Sequence, residues 1–494
     1  MARESSDPTL ILVRLAAELA TKSNRTRRRF QGRLAENIRD AVEASGIEGS
    51  VEDHWSRLFV EASELGAAGV LARVFGVSSA SVIDARIDAD LEAIVETGHA
   101  LYADRIGGGT YAVRCRRVGS HDFSSRDVKE RLGAALNPYG EVDLDQPGFT
   151  AAVEVRHDVA YLYHDRVPGP GGLPLGVEGK AVCLISGGFD SAVAAWLMLK
   201  RGVSVEYVFC NLAGAAYERA VISVAKVLAD EWSYGDRPPI HIVDFEELVD
   251  HLRERATPRY WQVVLKRLMY RTAEMIAREI GAEAIVTGES IGQVSSQTLG
   301  NLRAIDEVAD LPVFRPLVGL DKQEIIERAD RIGTSALSAR VREYCAILPD
   351  RPVTHARPEA ARDEEAKLEL DRIERLVEER TVLDLRDLDP FDLVEPYIFA
   401  DEVPDGAVVI DCRTAEEYAS WHYPGAERRS PRDLATHMRQ LDKERTYLLY
   451  CARGVQTAHL AELMQRAGFE AYSFRGGVQG LRDRAGERGS PIGA

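Results

Sequence analysis

The stretch KAVCLISGGFDS, residues 180–191, sets the tightest limit on what this chain can fold into. Ala181-Val182-Cys183-Leu184-Ile185 is an apolar run with the length and composition of a buried parallel strand. It enters Ser186-Gly187-Gly188-Phe189-Asp190-Ser191, then AVAAWLMLKRG, which reads as a helix closed by Gly202. Strand, glycine-rich turn and helix make an anion site. Two glycines let the backbone approach a ligand, and free N–H groups of the turn and helix start point at negative charge. The phosphate signatures GxxxxGK[ST] and GxGxxG are both absent. A chance solvent turn is the competing explanation, and the strand–turn–helix context weighs against it.

At 494 residues the chain has room for several domains, roughly three to four. No run approaches the ~20 apolar residues of a membrane span, and the N-terminus lacks a signal-peptide layout, so a cytoplasmic protein without membrane contact is expected. Net charge is −17, which argues against nucleic-acid binding by the whole chain. The distribution is uneven. Lys22, Arg25, Arg27, Arg28, Arg29, Arg33 and Arg39 face a single acid, Glu36, and a second basic group comprises Arg114, Arg116, Arg117, Arg126, Lys129 and Arg131. RNA binding at one end and a solvated arginine-rich face both fit. The six cysteines are scattered without a CxxC pair, so neither zinc nor an iron–sulfur cluster is expected, and any disulfide should be transient.

Residues 1–60 read as a small α+β unit: a strand over 9–15, a helix with Phe30, Leu34, Ile38 and Val42 on one face, and a strand over 56–60. Residues 61–167 alternate strands and helices. In TYAVRCRRV (110–118) one face packs while the other carries Arg114, Arg116 and, after a shift, Arg117. Ser124–Asp127 reads as a helix cap and 150–165 as a hairpin. A Pro/Gly linker, 168–179, separates these from residues 180–350. That region shows the βα alternation of a doubly wound parallel sheet, with strands at 181–185, 204–210, 240–244 and 284–287. Ligands of such sheets bind beyond the strand C-termini, which groups Ser186–Asp190, Phe209–Asn211 and Thr287–Glu289 on one rim. The charged stretch 357–382 within 351–399 reads as an exposed connecting helix, and 400–494 as a second, smaller α/β unit.

SGGFDS is the signature of PP-loop ATP pyrophosphatases. Its N–H groups suit pyrophosphate, and Asp190 is placed to hold Mg²⁺ or position phosphates. VTGESIGQVSSQTLGNL (286–302) adds small polar groups on the same rim. Lys266 is either a phosphate ligand or a surface lysine. Ile410-Asp411-Cys412-Arg413 with Glu417, Tyr418, His422, Pro424, Gly425 and Ala426 resembles the rhodanese pattern IDxRxxxEYxxxHxPGA. Cys451-Ala452-Arg453-Gly454-Val455-Gln456-Thr457 resembles its active loop CxxGxxT. A cysteine between a strand end and a helix start faces donors that, with Arg453, stabilise a thiolate or persulfide. Cys345, in REYC, reads on its own as structural.

Together these segments resemble the tRNA 4-thiouridine synthetase family (tRNA uracil 4-sulfurtransferase), in the form with a C-terminal rhodanese domain. The resemblance implies an α/β multidomain chain. Its parts are a ferredoxin-like α+β domain over 1–60, a THUMP RNA-binding domain over 61–167 with RCRRVGSHDFSS as the best match, the PP-loop ATPase over 180–350 and the rhodanese over 400–494. It implies that ATP activates O4 of tRNA uridine 8 as an adenylate and that Cys451 carries persulfide sulfur from a cysteine desulfurase. It also implies that Cys345 assists sulfur release through a transient disulfide with Cys451, which turns Cys345 from structural to catalytic. Nucleotide contacts carry over to Leu184, Ile185, Phe209, Cys210, Lys266, Gly288 and Gln297, beside Ser186, Gly187, Gly188, Asp190 and Ser191 of the turn. Cys210 stands where relatives often carry an aromatic residue. Arg453, Gly454 and Thr457 form the persulfide loop. Lys22, Arg25, Arg27, Arg28, Arg114, Arg116 and Arg117 are the expected tRNA contacts. Sulfur transfer to a thiazole-synthesis carrier protein for thiamine is a further implied output, and homodimerisation stays open. The alternatives are a sulfur carrier for thiamine synthesis only, a non-catalytic tRNA-binding protein, and another PP-loop chemistry.

Overall fold

Two five-stranded sheets organise the first part of the chain. The computed structural model describes residues 8–54, 57–64, 66–212, 215–339, 341, 351–389, 393, 398–452 and 455–487. They divide into a unit of residues up to 23 with 41–171 and a unit of 24–40 with 172 onward. In the first unit β1 (Thr9–Leu15), β2 (Gly49–Asp53), β3 (Arg57–Ala62) and β4 (Val77–Val82) form one sheet. The second sheet contains β5 (Ala85–Asp88), β6 (Thr110–Val118), β7 (Glu141–Val142), β8 (Phe149–Arg156) and β9 (Val159–Tyr163). A late strand, β10 (Val167–Pro168), returns to the first. The orders are β10-β4-β1-β3-β2 and β5-β9-β8-β6-β7. A boundary at residue 60 therefore falls inside the first sheet, which needs β4 and β10 to complete it.

Helices α1 (Ala17–Ala20) and α2 (Asn24–Ala44) follow β1, and α3 (Ala67–Leu71) precedes β4. The stripe Phe30, Leu34, Ile38 and Val42 of α2 is buried, as its spacing predicts. Helices α4 (Leu91–Ile106) and α5 (Ser125–Leu136) cover the second sheet through Ile94, Tyr102, Val128 and Leu132, which pack with Tyr111 and Val153. A capping box starts α5: the Asp127 N–H donates to the Ser124 hydroxyl and the Asp127 carboxylate accepts from the Ser124 N–H. Pairing of β6 with β8 runs without a break from Tyr111 to Val118. With no shift in register, Arg117 lies on the Tyr111/Val113/Cys115 face and not beside Arg114 and Arg116.

The second unit is built on a six-stranded sheet, β15-β14-β11-β12-β13-β16. Its strands are β11 (Lys180–Leu184), β12 (Ser204–Asn211), β13 (Pro239–Asp244), β14 (Ile285–Val286), β15 (Val313–Phe314) and β16 (Thr381–Asp384). All pairs are parallel except β13 with β16. The helices are α6 (Phe189–Lys200), α7 (Ala215–Trp232), α8 (Glu246–Arg255), α9 (Trp261–Ile280), α10 (Leu299–Asp306), α11 (Lys322–Ile332) and α12 (Ser335–Ser338). The charged stretch expected to be an exposed connecting helix is instead α13 (Pro358–Glu365), α14 (Asp371–Glu378) and β16, and it packs on this sheet. Ile373, Leu376 and Val377 enter the core with Val243, Leu268 and Ile276. Glu365 is buried between Arg267 and Arg271. Dense charge hid this packing because many of these charges are held in ion pairs with the rest of the unit.

The second sheet of the same unit is parallel, in the order β17-β21-β20-β18-β19. Its strands are β17 (Phe399–Ala400), β18 (Val408–Asp411), β19 (Glu427–Arg428), β20 (Thr446–Tyr450) and β21 (Glu470–Phe474), joined by α15 (Ala415–Ser420), α16 (Pro431–His437), α17 (Val455–Arg466) and α18 (Gly477–Glu487). Helix α12 lies against α16 and α17, and α17 also packs on α7. No described helix is long and apolar enough to cross a membrane.

Candidate functional site

Strand β11 hands the chain to a turn that only glycine can make. Gly187 has φ +74°, and a Cβ there would lie 3.1 Å from both Val221 Cα and Val341 Cγ2. Gly188 is the N-cap of α6, so the first N–H groups of the helix have no side-chain cap from that position. One expected donor is taken: the Ser186 N–H donates to Ser191 Oγ at 3.2 Å, and that hydroxyl donates on to Gly188 O. Ser191 is thus a buried brace of the turn and not an open ligand group.

The Thr287–Glu289 segment presses directly on the start of α6. A Cβ on Gly288 would sit 2.6 Å from Asp190 C and Ser191 N. The Asp190 carboxylate accepts from Lys322 Nζ at 2.9 and 3.0 Å and from Gln293 Nε2 at 2.8 Å. Lys322 stands at the first turn of α11, 5.4 Å from the Phe189 ring centroid. Neither Lys322 nor Gln293 was singled out in the sequence. The signal present was Asp321, three residues before Glu324, opening a helix as a capping box.

Lys266 is paired with Glu289, a carboxylate that also accepts from Tyr270 Oη at 2.6 Å and Arg315 Nε at 2.9 Å. Burial alone would raise the Glu289 carboxyl. The Lys266 and Arg315 charges, with hydrogen bonds from Lys266 and Tyr270, override it and bring it to about 2. Gln297 is buried, and its Oε1 accepts from the Ser290 N–H at 3.4 Å, bracing the loop. Leu184, Ile185, Phe209 and Cys210 lie at or just beyond the strand ends. Phe209 and Cys210 are buried, and Phe209 meets Tyr217 edge-on. Burial raises the Cys210 thiol and pushes that of Cys183 up to about 12, so both behave as core residues.

In the second α/β layer Cys451 follows β20 and precedes α17. Its Sγ lies 3.5 Å from Thr457 Oγ1, which is buried and 2.9 Å from Ser473 Oγ. Arg413 and Asp411 form a buried pair at 2.6 Å, with Arg413 also donating to Trp421 O. That pair explains the Asp-x-Arg of the motif as an internal brace. Cys345, Arg453 and Gly454 lie outside the described residues.

The first unit holds a cavity of about 280 Å³ with six cations in its wall: Arg14, Arg57, Arg114, Arg116, Lys129 and Arg166. The one carboxylate lining it is Glu154, which pairs with Arg57 at 2.9 Å and with Arg156 at 2.8 Å. Burial would raise Glu154, yet Arg57, Arg156 and Arg14 hold it below the ordinary carboxylate range. Arg117 lines no part of this cavity. It points to Gly119 O and His121 Nδ1. Arg14, Arg57 and Arg166 come from distant parts of the sequence, and two of them sit inside apolar strands. Lys22 belongs to the first unit, whereas Arg25, Arg27 and Arg28 lie on the part of α2 assigned to the second.

A glycine turn between a parallel strand and a helix on one α/β sheet, with a rhodanese-type parallel sheet in the same unit that carries a cysteine at a strand end, defines a PP-loop protein with a rhodanese-like domain. Four family models match in chain order: the ThiI ferredoxin-like domain over residues 10–81, the THUMP domain over 88–165, Thiamine biosynthesis protein (ThiI) over 176–370 and the rhodanese-like domain over 396–483. The tRNA sulfurtransferase of Pyrobaculum aerophilum is 37% identical over 94% of this chain and 96% of its own. That of Desulfurococcus amylolyticus is 38% identical over 96% and 98%. Among solved structures, a 4-thiouridine synthetase–RNA complex with bound ATP is 31% identical, with TM-score 0.66, covering 76% of this chain and 99% of that one. The chain belongs to the tRNA sulfurtransferase family, a family of enzymes.

Proposed function

We propose that the chain is an ATP-dependent enzyme that adenylates O4 of tRNA uridine 8 and replaces that oxygen with persulfide sulfur carried on Cys451, giving 4-thiouridine. One observation carries the reading. Helix α7 touches the phosphate turn through Val221 beside Gly187 and also packs against α17, the helix that follows Cys451. The two half-sites are thus built into one packed unit.

The N–H groups of the turn and the α6 start donate to the phosphates. Lys322 turns from Asp190 to the leaving pyrophosphate and neutralises its charge there, and Lys266 does the same from its pairing with Glu289. Asp190 is a carboxylate standing among phosphate-binding groups, which fits one protein ligand to Mg²⁺; the ion would neutralise phosphate charge there. Oxygen is a poor leaving group and AMP a good one, so attack on O4-adenylate by persulfide sulfur becomes favourable. Cys345 attacks the inner sulfur of Cys451 as sulfur passes to C4. The resulting Cys345–Cys451 disulfide is reopened by a thiol reductant.

The cation-lined cavity supports RNA contact through phosphates in the first unit. A cysteine desulfurase is the proposed sulfur source. The description of the matching model, thiamine biosynthesis, supports a second output from Cys451 to a thiazole-synthesis carrier protein. Nucleoside mass spectrometry of tRNA from cells with and without this gene tests the main reading. In a reconstituted assay Cys451→Ser and Asp190→Ala should each abolish 4-thiouridine, and full activity in either sinks the mechanism. Asp190→Ala should retain thiazole sulfur supply if the second output exists.

A further inference from the structure

The motif residue left without a task is Cys412. It stands one residue past β18, and Cys451 one residue past β20, on neighbouring parallel strands. Asp411 pairs with Tyr450 in register, and the ladder continues with the Cys412 N–H donating to Tyr450 O at 2.9 Å. Side chains alternate along a strand. Val408, Ile410 and Cys412 therefore share a face with Tyr447, Leu449 and Cys451, in one core cluster. Val409, Leu448 and Tyr450 pack on the other side. Neighbouring strands lie about 4.8 Å apart, inside the Cα separation of about 4.4–6.8 Å that a disulfide bridges. Both cysteines are buried.

We propose, resting on the persulfide role of Cys451, that Cys412 is a resolving thiol that closes a Cys412–Cys451 disulfide and discharges the carried sulfur when no activated RNA takes it. The Cys412 thiolate attacks the inner sulfur of the Cys451 persulfide. The bond between inner and outer sulfur breaks, and the outer sulfur leaves with the electron pair as hydrosulfide, taking up the proton given up by Cys412. Two cysteine sulfurs are together oxidised by two electrons and the outer sulfur is reduced by two. A dithiol reductant restores both thiols. Peroxide leads to the same bond: it oxidises Cys451 to a sulfenic acid, which Cys412 attacks with loss of water. Burial, and then the charge of the Cys451 sulfur, push the Cys412 thiol well above its ordinary range. That keeps Cys412 inert toward outside electrophiles and makes discharge slow beside productive transfer.

The test uses the full chain carrying Cys345→Ser, loaded with glutathione persulfide without ATP or RNA, with intact mass reading the loading. The expected result is hydrosulfide release with a cross-linked peptide pair spanning Cys412 and Cys451. Release should be at least about tenfold faster than in Cys345→Ser with Cys412→Ala, which loads and keeps its sulfur. Equal retention of sulfur with and without Cys412, and no cross-linked pair, overturns the proposal while leaving the carrier role standing. No loading at Cys451 removes the carrier role and the discharge step together. In a peroxide arm on unloaded protein, Cys412 should divert Cys451 from sulfinic acid into the disulfide. Sulfinic acid accumulating equally fast in both variants also overturns the proposal.

Discussion

Lys322 and Asp190 form an ion pair beside the glycine turn, with Nζ 2.9 Å from one carboxylate oxygen and 3.0 Å from the other. The pair holds a cation next to the start of α6 and balances the Asp190 carboxylate. In the proposed reaction that cation is on hand for the nucleotide phosphates.

Lys322→Met should therefore lose ATP–pyrophosphate chemistry, by about 100-fold or more in kcat, the usual effect of removing one charge-stabilising donor. Persulfide loading at Cys451 should be unchanged. A pyrophosphate-release assay with tRNA measures the first and intact mass the second. Wild-type pyrophosphate release in Lys322→Met would remove the lysine from the site.

Glu289 contributes to the acid limb of stability, alongside the other depressed carboxylates Glu154, Glu206 and Glu365. Its carboxyl falls from 4.5 to about 2 on folding, worth about 3 kcal/mol. Because the folded value is depressed, this stability is present above pH 4.5 and is lost as pH falls toward 2. Glu289→Gln should lower the denaturation midpoint at neutral pH and flatten the pH dependence of stability in that window. It also frees Lys266, so KM for ATP should shift even where the protein remains folded. Urea titrations across pH and steady-state kinetics check the two parts.

Gly288→Ala places a methyl 2.6 Å from the backbone of Asp190 and Ser191. Backbone on both sides cannot yield as a side chain would, so overpacking should cost about 1–3 kcal/mol and abolish ATP binding in calorimetry. Gly319→Ala meets nothing within 4 Å and should leave ATP binding unchanged.

The cation-lined cavity separates arginines that look alike in sequence. Arg114→Glu with Arg116→Glu should weaken tRNA binding and make its salt dependence shallower, by about one unit of slope for each phosphate no longer neutralised. Arg117→Ala, directed at Gly119 O and His121, should leave that slope unchanged. Filter binding over a range of salt concentrations reads both.

The strand–turn–helix at residues 180–200 and the strands at 204–211 and 408–411 were legible because each is an apolar run bounded by glycine or by a helix period. The strand expected over 284–287 is present as Ile285–Val286, whereas its neighbour Val313–Phe314 was not legible: two residues carry no period. Residues 357–382 were misread because a stretch so rich in charge looks solvated, whereas Glu365 is buried in ion pairs with Arg267 and Arg271 of α9. Arg14 and Arg57 sit in strands whose neighbours are apolar, and only the fold brings them to Glu154. Lys322 reaches Asp190 across 132 positions of sequence. Distance along the chain, and not weak chemistry, is what concealed these partners.

The antiparallel strand Thr381–Asp384 has a consequence for handling the molecule. It covers the free edge of Pro239–Asp244, whose donors and acceptors would otherwise template another chain. A fragment ending near residue 350 would bare that edge and should associate into aggregates, whereas one ending after Asp389 keeps its own cover. The segment between the six-stranded sheet and the C-terminal parallel sheet is thus the seal of the first as well as the tether of the second.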